Sequence, residues 1–173
     1  MRPLERVKAY YRDLNTGDVE KVARHFHPDA HHYYTRLGPH CSAKEIGEIT
    51  EQGVKHLDAS WHLEHGIEQG DEVVIEWTML WRDPRHDNVK RLDRGTEWFR
   101  VEDGLICEVR AYHHSDGSNR QGDLLGFDHT GRGYTTLEQW DQARERDGAA
   151  PGAAGARARL NAEARKASER ERA

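Results

Sequence analysis

An acid and an imidazole, Glu97 and His113, stand where the alternation of the chain otherwise predicts an apolar surface. From Glu72 to Asp83, one side of the alternation carries Val73, Ile75, Trp77, Met79 and Trp81, and the other carries Val74, Glu76, Thr78, Leu80 and Arg82. Thr96 to Glu102 continues the apolar side with Glu97, Phe99 and Val101, and Leu105 to His114 continues it with Cys107, Val109, Ala111 and His113. An ionisable group on such a wall is costly unless it is paired, and burial favours its neutral form, which suits proton transfer near neutral pH. Glu97 therefore has two readings, a group in a site or the partner of an arginine at the rim. His113 stands beside His114, and a slip of one residue would exchange them. A further imidazole comes from the run His31-His32-Tyr33-Tyr34, where one His and one Tyr must face inward if the segment is a strand. Trp77, Met79 and Trp81 either fill a core or line a pocket for a flat apolar molecule.

These residues need elements to hold them. Pro3 at a first helical turn, followed by Leu4, Val7, Tyr11 and Leu14, predicts an amphipathic helix stopped by Asn15-Thr16-Gly17. Asp18 caps a second helix with the stripe Val19, Val22 and Phe26, ended by Pro28-Asp29 before a strand from Ala30 to Leu37. Ser42-Ala43-Lys44-Glu45 is a capping box opening a third helix, with Ile46, Ile49, Val54 and Leu57 as its buried stripe. Four strands follow, Ser60 to Gln69, Glu72 to Asp83, Val89 to Glu102 and Leu105 to His114, with turn signals between them. The order predicts an α+β domain, a curved antiparallel sheet packed on three N-terminal helices.

The 173 residues suit one cone domain over 1–115, an extension over 116–147 that packs as a lid or an edge, and a tail over 148–173. The tail is Ala, Gly, Arg and Glu with little to bury, which predicts disorder or a marginal helix. A formal charge of -5 with interspersed signs offers no basic stripe, so nucleic acid is not an expected partner. No apolar run has the length of a membrane span and the first residues read as a charged helix, so the cytoplasm is the expected address. Cys41 and Cys107 read as reduced thiols. His25, His27, His31 and His32 straddle the Pro28-Asp29 turn without completing a ligand pattern, so no metal is expected. On the convex face, Glu76, Arg82, Arg100, Glu102, Glu108 and Arg110 surround Trp98, Leu80 and Tyr112, the pattern of a homodimer contact.

The run from Ala9 to Glu20, AYYRDLNTGDVE, with His25-Phe26-His27-Pro28-Asp29-Ala30 and the run from Val101 to Tyr112, VEDGLICEVRAY, resembles the SnoaL-like branch of the nuclear transport factor 2-like superfamily over about Pro3 to His114. The resemblance implies a cone, a bent sheet closed by three helices around an apolar cavity. That superfamily holds isomerases, dehydratases, epoxide hydrolases and polyketide cyclases beside binding modules, so the fold does not settle function. Resemblance to ketosteroid isomerase places Tyr10 as an oxyanion-hole tyrosine and Glu97 as the protonated acid sharing that task. The carboxylate base does not carry over, because Tyr34 and Ala111 stand where relatives have Asp; imidazole from His113 or His32 is then the candidate base.

The expectation that follows is a small cofactor-independent enzyme of lyase or isomerase type, doing acid/base chemistry on an apolar or polycyclic, polyketide-like small molecule. Glu97, His113, Tyr10 and His32 are its expected catalytic groups, with Tyr34, Trp77, Met79, Trp81, Phe99 and Val109 contacting substrate and excluding water. The rival is a binding or protein-interaction module of the same fold without turnover. Ionisable groups on the cavity face favour the enzyme.

Overall fold

The computed structural model describes residues 1–35, 38–113 and 123–150. In chain order its elements are α1 (Pro3–Leu14), α2 (Val19–Ala23), β1 (Phe26–Tyr33), α3 (Ala43–Leu57), β2 (Ser60–Gln69), β3 (Glu72–Asp83), β4 (Val89–Glu102), β5 (Leu105–His113) and α4 (Trp140–Arg146). The strands form one open sheet in the order β1-β5-β4-β3-β2. The fold is the expected α+β cone. One feature differs: β1 pairs parallel with β5 while the other four strands are antiparallel, so the sheet is mixed. A parallel neighbour needs a crossover, and α3 with β2 to β4 separates β1 from β5 in the chain.

Local chemistry explains the boundaries. Asp18 accepts from the Lys21 N–H at the start of α2, and Ser42 accepts from the Glu45 N–H at the start of α3. Only half of the capping box closes as expected, since the Glu45 carboxylate accepts from Cys41 N–H. The turn between β4 and β5 has positive φ at both Asp103 (50°) and Gly104 (78°), the left-handed pair that a tight hairpin requires.

Helix α2 stops at Ala23, and the strand begins at Phe26, four residues earlier than the expected Ala30; the expected end at Leu37 lies outside the described residues. Phe26 pairs with Ile106 but His31 already pairs with Glu108, so the strand bulges around Pro28 and Asp29. Proline lacks an N–H, which a bulge tolerates and a regular ladder does not. The buried histidine His25 precedes the strand, and its Nε2 lies 2.7 Å from Asp13 Oδ2. Burial pushes the His25 imidazole toward its neutral form, and the Arg6 and Arg24 charges act the same way.

Core residues from α1, α2, α3 and the concave sheet form one cluster that includes Val7, Tyr10, Tyr11, Val22, Ile46, Ile75, Phe99 and Val109. The described part of the C-terminal extension packs on the opposite, convex face. There Trp140, Ala143 and Leu137 join Leu80 and Leu92 in a second cluster, with Arg82, Lys90 and Arg144 at 5.0–5.6 Å from the Trp140 ring. Buried Arg144 donates to the Asp58 carbonyl and carboxylate at the end of α3. Asp58 is itself left-handed, with φ 51°. No helix among the described residues is long and apolar enough to cross a membrane.

The extension also completes a Ser-His-Asp chain. Ser60 Oγ is 3.0 Å from His62 Nε2, and His62 Nδ1 is 2.5 Å from Asp147 Oδ2. Nucleophilic catalysis needs an accessible hydroxyl, whereas Ser60 and His62 are both 0% exposed beneath the extension. The chain is a latch. Although burial pushes the Asp147 carboxyl up, hydrogen bonds from His62 and Arg146 outweigh it and hold the group below its usual range. A carboxyl held low in the folded state adds stability above the unfolded value of about 3.9, and loses it as pH falls through the folded one. Urea unfolding at pH 6 and at pH 3 is therefore expected to show a smaller acid-induced loss of stability in Asp147→Asn than in the unsubstituted protein; equal losses would remove the latch from the acid response. Trp140→Ala is expected to cost about 3–5 kcal/mol in the same measurement.

Candidate active site

Register across three strands places the site. Glu97 on β4 faces Ile75 on β3 and Ala111 on β5, and one pleat further Gly95 faces Trp77 and His113. The absence of a side chain at Gly95 matters: a Cβ there would run into Trp77 ring atoms, so the indole packs against the β4 backbone at this point. The bulge in β1 sets the parity of that strand, so that Phe26, Ala30 and His32 are buried while Tyr33 is exposed. Helix α1 turns a broad stripe inward, Val7, Tyr10, Tyr11 and Leu14. Helix α3 closes the mouth with Ile49, Thr50, Gly53, His56 and Leu57.

Together these elements enclose a cavity of about 400 Å³. At its inner wall lies a connected polar set. Tyr11 O–H donates to Glu97 Oε2 at 2.7 Å, and Glu97 Oε1 is 3.5 Å from His32 Nε2. That last contact lies within ion-pair distance but does not meet hydrogen-bond geometry, so His32 Nε2 has no hydrogen-bond partner. His32 Nδ1 is 3.0 Å from Tyr34 Oη, with the two rings stacked at 4.0 Å. The backbone of His32 bridges that of His40, whose ring sits 5.5 Å from Tyr34. His32 and Glu97 are 2% and 7% exposed. Burial first, and the neighbouring Glu97 charge second, push Tyr10, Tyr11 and Tyr34 well above the ordinary tyrosine range. All three phenols therefore remain O–H donors at physiological pH.

The expected site residues divide into three groups. Glu97, His32, Tyr34, Trp77, Met79, Tyr10 and His113 line the cavity. Of the two imidazoles, His32 reaches Glu97, and His113 stands one pleat away with its ring 5.8 Å from Trp77. The alternative His114 lies outside the described residues. Phe99 and Val109 are fully buried beneath the wall and do not line the cavity, because packed core from α1 and β1 covers them. Trp81 lines a separate hollow with Leu57, Pro84 and Arg85, since the strand runs past the mouth before reaching it.

Tyr10, the expected partner of Glu97, lines the cavity without bonding to that carboxylate. Tyr10 packs edge-on against Phe26 (4.9 Å) and Tyr11 (5.4 Å), and the hydrogen bond to Glu97 comes from Tyr11. Successive helix residues differ by about 100° in direction, and a stripe wide enough to bury both leaves the choice to the facing strand. The Glu97 partners are a phenol and an imidazole rather than an arginine. Sequence reasoning missed Tyr11, Trp61, Asp93 and the α3 residues at the mouth. Asp93 shares the side of Glu97 in β4, and alternation carried two more pairs upstream would have found it. The clustered histidines diverge: His25 turns to Asp13, His32 to Glu97, and His31 stacks on Tyr33. Among the described residues, no group of three or more His, Cys, Asp or Glu is placed to hold a metal ion.

The SnoaL-like domain family matches residues 7–109 of this chain. No curated protein sequence matches the chain significantly. Among solved structures, a protein of unknown function with a cystatin-like fold from Methylobium petroleophilum PM1 is 27% identical, with a TM-score of 0.58, covering 78% of this chain and 91% of its own. TerC, crystallised with polyporic acid, is 20% identical, with a TM-score of 0.55 over 65% of this chain and 91% of its own. A candidate polyketide cyclase from Pseudomonas putida KT2440 is 18% identical, with a TM-score of 0.55 over 66% and 92%. The last two show a shared fold.

The close fit of Trp77 over Gly95 makes the wall sensitive to one methyl group. Gly95→Ala is expected to lower stability by about 1–3 kcal/mol in denaturant unfolding and to shift tryptophan fluorescence, because the indole must move. Gly38→Ala, whose added Cβ meets nothing within 4 Å, serves as the unperturbed control.

Proposed function

This chain belongs to the SnoaL-like domain family, and we propose that it is a cofactor-independent enzyme of isomerase or cyclase type acting on a flat, apolar, polyketide-like ketone. The observation that carries the proposal is the buried chain Tyr34–His32–Glu97–Tyr11 at the wall of an apolar cavity. Polar networks within a packed core can be purely structural, whereas this one faces a void that a small molecule can fill.

The chemistry follows from the donors and acceptors. Tyr34 O–H donates to His32 Nδ1, which leaves the Nε2–H of a neutral imidazole turned toward Glu97. An acidic C–H beside a carbonyl gives its proton to the Tyr34 oxygen as Tyr34 passes its own to Nδ1. The product of that step is an enolate and an imidazolium. Glu97 stabilises the imidazolium, and Tyr11 holds the second carboxylate oxygen so that the first stays aimed at His32. Trp61, Trp77 and Met79 exclude water, which strengthens each of these interactions. Returning the proton to another carbon completes an isomerisation; attack of the enolate carbon on a second carbonyl completes a cyclisation.

The test is exchange of the α-protons of 2-tetralone in D2O, followed by proton NMR. The unsubstituted protein is expected to accelerate exchange above buffer, and His32→Ala and Tyr34→Phe to lose about 10²- to 10⁴-fold of that rate. No acceleration, or acceleration that survives His32→Ala, would refute acid/base turnover at this site.

For self-association, we propose a homodimer through the convex area that α4 leaves open. Ile67, Val74, Trp98 and Arg110 form one row across four strands, with Arg110 stacked 5.1 Å from the Trp98 ring. Sedimentation of the unsubstituted chain as a dimer and of Trp98→Glu as a monomer is expected; a monomeric unsubstituted chain at tens of micromolar would exclude this contact.

A further inference from the structure

Trp77 is 5% exposed, lines the cavity, and its indole N–H has no acceptor. A buried donor without a partner costs about 1–3 kcal/mol, and phenylalanine would give the same wall without that cost. Its place in the sheet adds a second observation. Trp77 is the diagonal neighbour of Glu97 across the β3–β4 pair, since Ile75 faces Glu97 and Trp77 faces Gly95. Diagonal neighbours on one face lie roughly 7–8 Å apart, so Trp77 and Glu97 border the same stretch of the cavity wall. Trp81 carries an unmet indole N–H too, but it lines the separate hollow beyond the mouth.

We propose that the Trp77 indole N–H donates a hydrogen bond to a carbonyl oxygen of the bound molecule, making Trp77 a specificity-determining residue that selects oxygenated ring systems over hydrocarbons of equal shape. The inference rests on the functional reading above and deepens it, because it names the substrate group that this cavity requires. Gly95 is part of the device. Without a side chain there, the indole packs directly against the β4 backbone, the approach that brings Trp77 to the cavity wall.

The experiment compares 9-fluorenone with fluorene, two flat tricyclic probes that differ by one carbonyl oxygen and carry no enolisable proton. Affinities are read by quenching of tryptophan fluorescence, in the unsubstituted protein and in Trp77→Phe. The ketone is expected to bind the unsubstituted protein about 5- to 10-fold more tightly than the hydrocarbon, the effect of one neutral hydrogen bond, and Trp77→Phe to erase that preference. In the unsubstituted protein, the nitrogen-proton NMR signal of the Trp77 indole, identified among the signals of five tryptophans by its loss in Trp77→Phe, is expected to move downfield with fluorenone and not with fluorene. This second readout needs no folded variant beyond the assignment, and benzothienylalanine at position 77, which keeps the shape without the N–H, replaces Trp77→Phe if that variant fails to fold. A ketone preference that survives loss of the N–H, or equal affinity for both probes, overturns the donor role and leaves the acid/base reading standing. Failure of the unsubstituted protein to bind either probe overturns both.

Discussion

A carboxylate buried in an apolar wall dictates the arrangement around it. Glu97 occupies a position where alternation calls for a side chain like Phe99 or Val101, and leaving its oxygens without partners there would cost several kcal/mol. The fold meets this with two groups from different elements, Tyr11 on α1 and His32 on β1. Both must arrive at the correct height along β4. That requirement fixes how α1 lies across the sheet and how β1 registers on β5, so the polar set and the cone are one construction.

The same set explains why the interior remains hollow. Polar groups aimed at a void hold positions that packed side chains would otherwise take, and Ile49 and Leu57 on α3 stay half-buried at the mouth instead of filling it. Trp77, packed against Gly95, forms part of the wall. Beneath that wall Phe99 and Val109 pack to full burial.

The described part of the extension packs on the convex face. Its helix α4 covers Leu80 and Leu92 on the convex face, and Arg144 ties down the left-handed Asp58 that ends α3. Buried Asn15 joins the same corner, pairing through its side chain with both backbone groups of Trp61 and accepting from Ala150 N–H at its carbonyl. Elements that line the cavity on one side are thus anchored from the other. The Ser60–His62–Asp147 chain shows how little a familiar constellation means without access: the distances suit catalysis, and complete burial assigns them to docking.

Much of this was legible in the chain. Two-residue alternation placed Glu97, Trp77, Met79 and His113 on one face because side-chain direction in a strand follows from parity alone, and the hairpin turns followed from residues that accept positive φ. Parity failed where a bulge intervened. His31 or His32, and Tyr33 or Tyr34, were undecidable until the Phe26–Ile106 and His31–Glu108 pairs were known, since one extra residue reverses every later side chain. Tyr10 and Tyr11 share a helix stripe, and only the strand facing them selects which hydroxyl meets Glu97. Depth was equally invisible: Phe99, Val109 and Trp81 have the right face but lie below the lining or past the mouth. Local periodicity is written in covalent order, and so the sequence determined which residues face inward. Which of them meet depends on register, crossing angle and cavity shape, which come from contacts between segments far apart in the chain, and only the tertiary structure decides these.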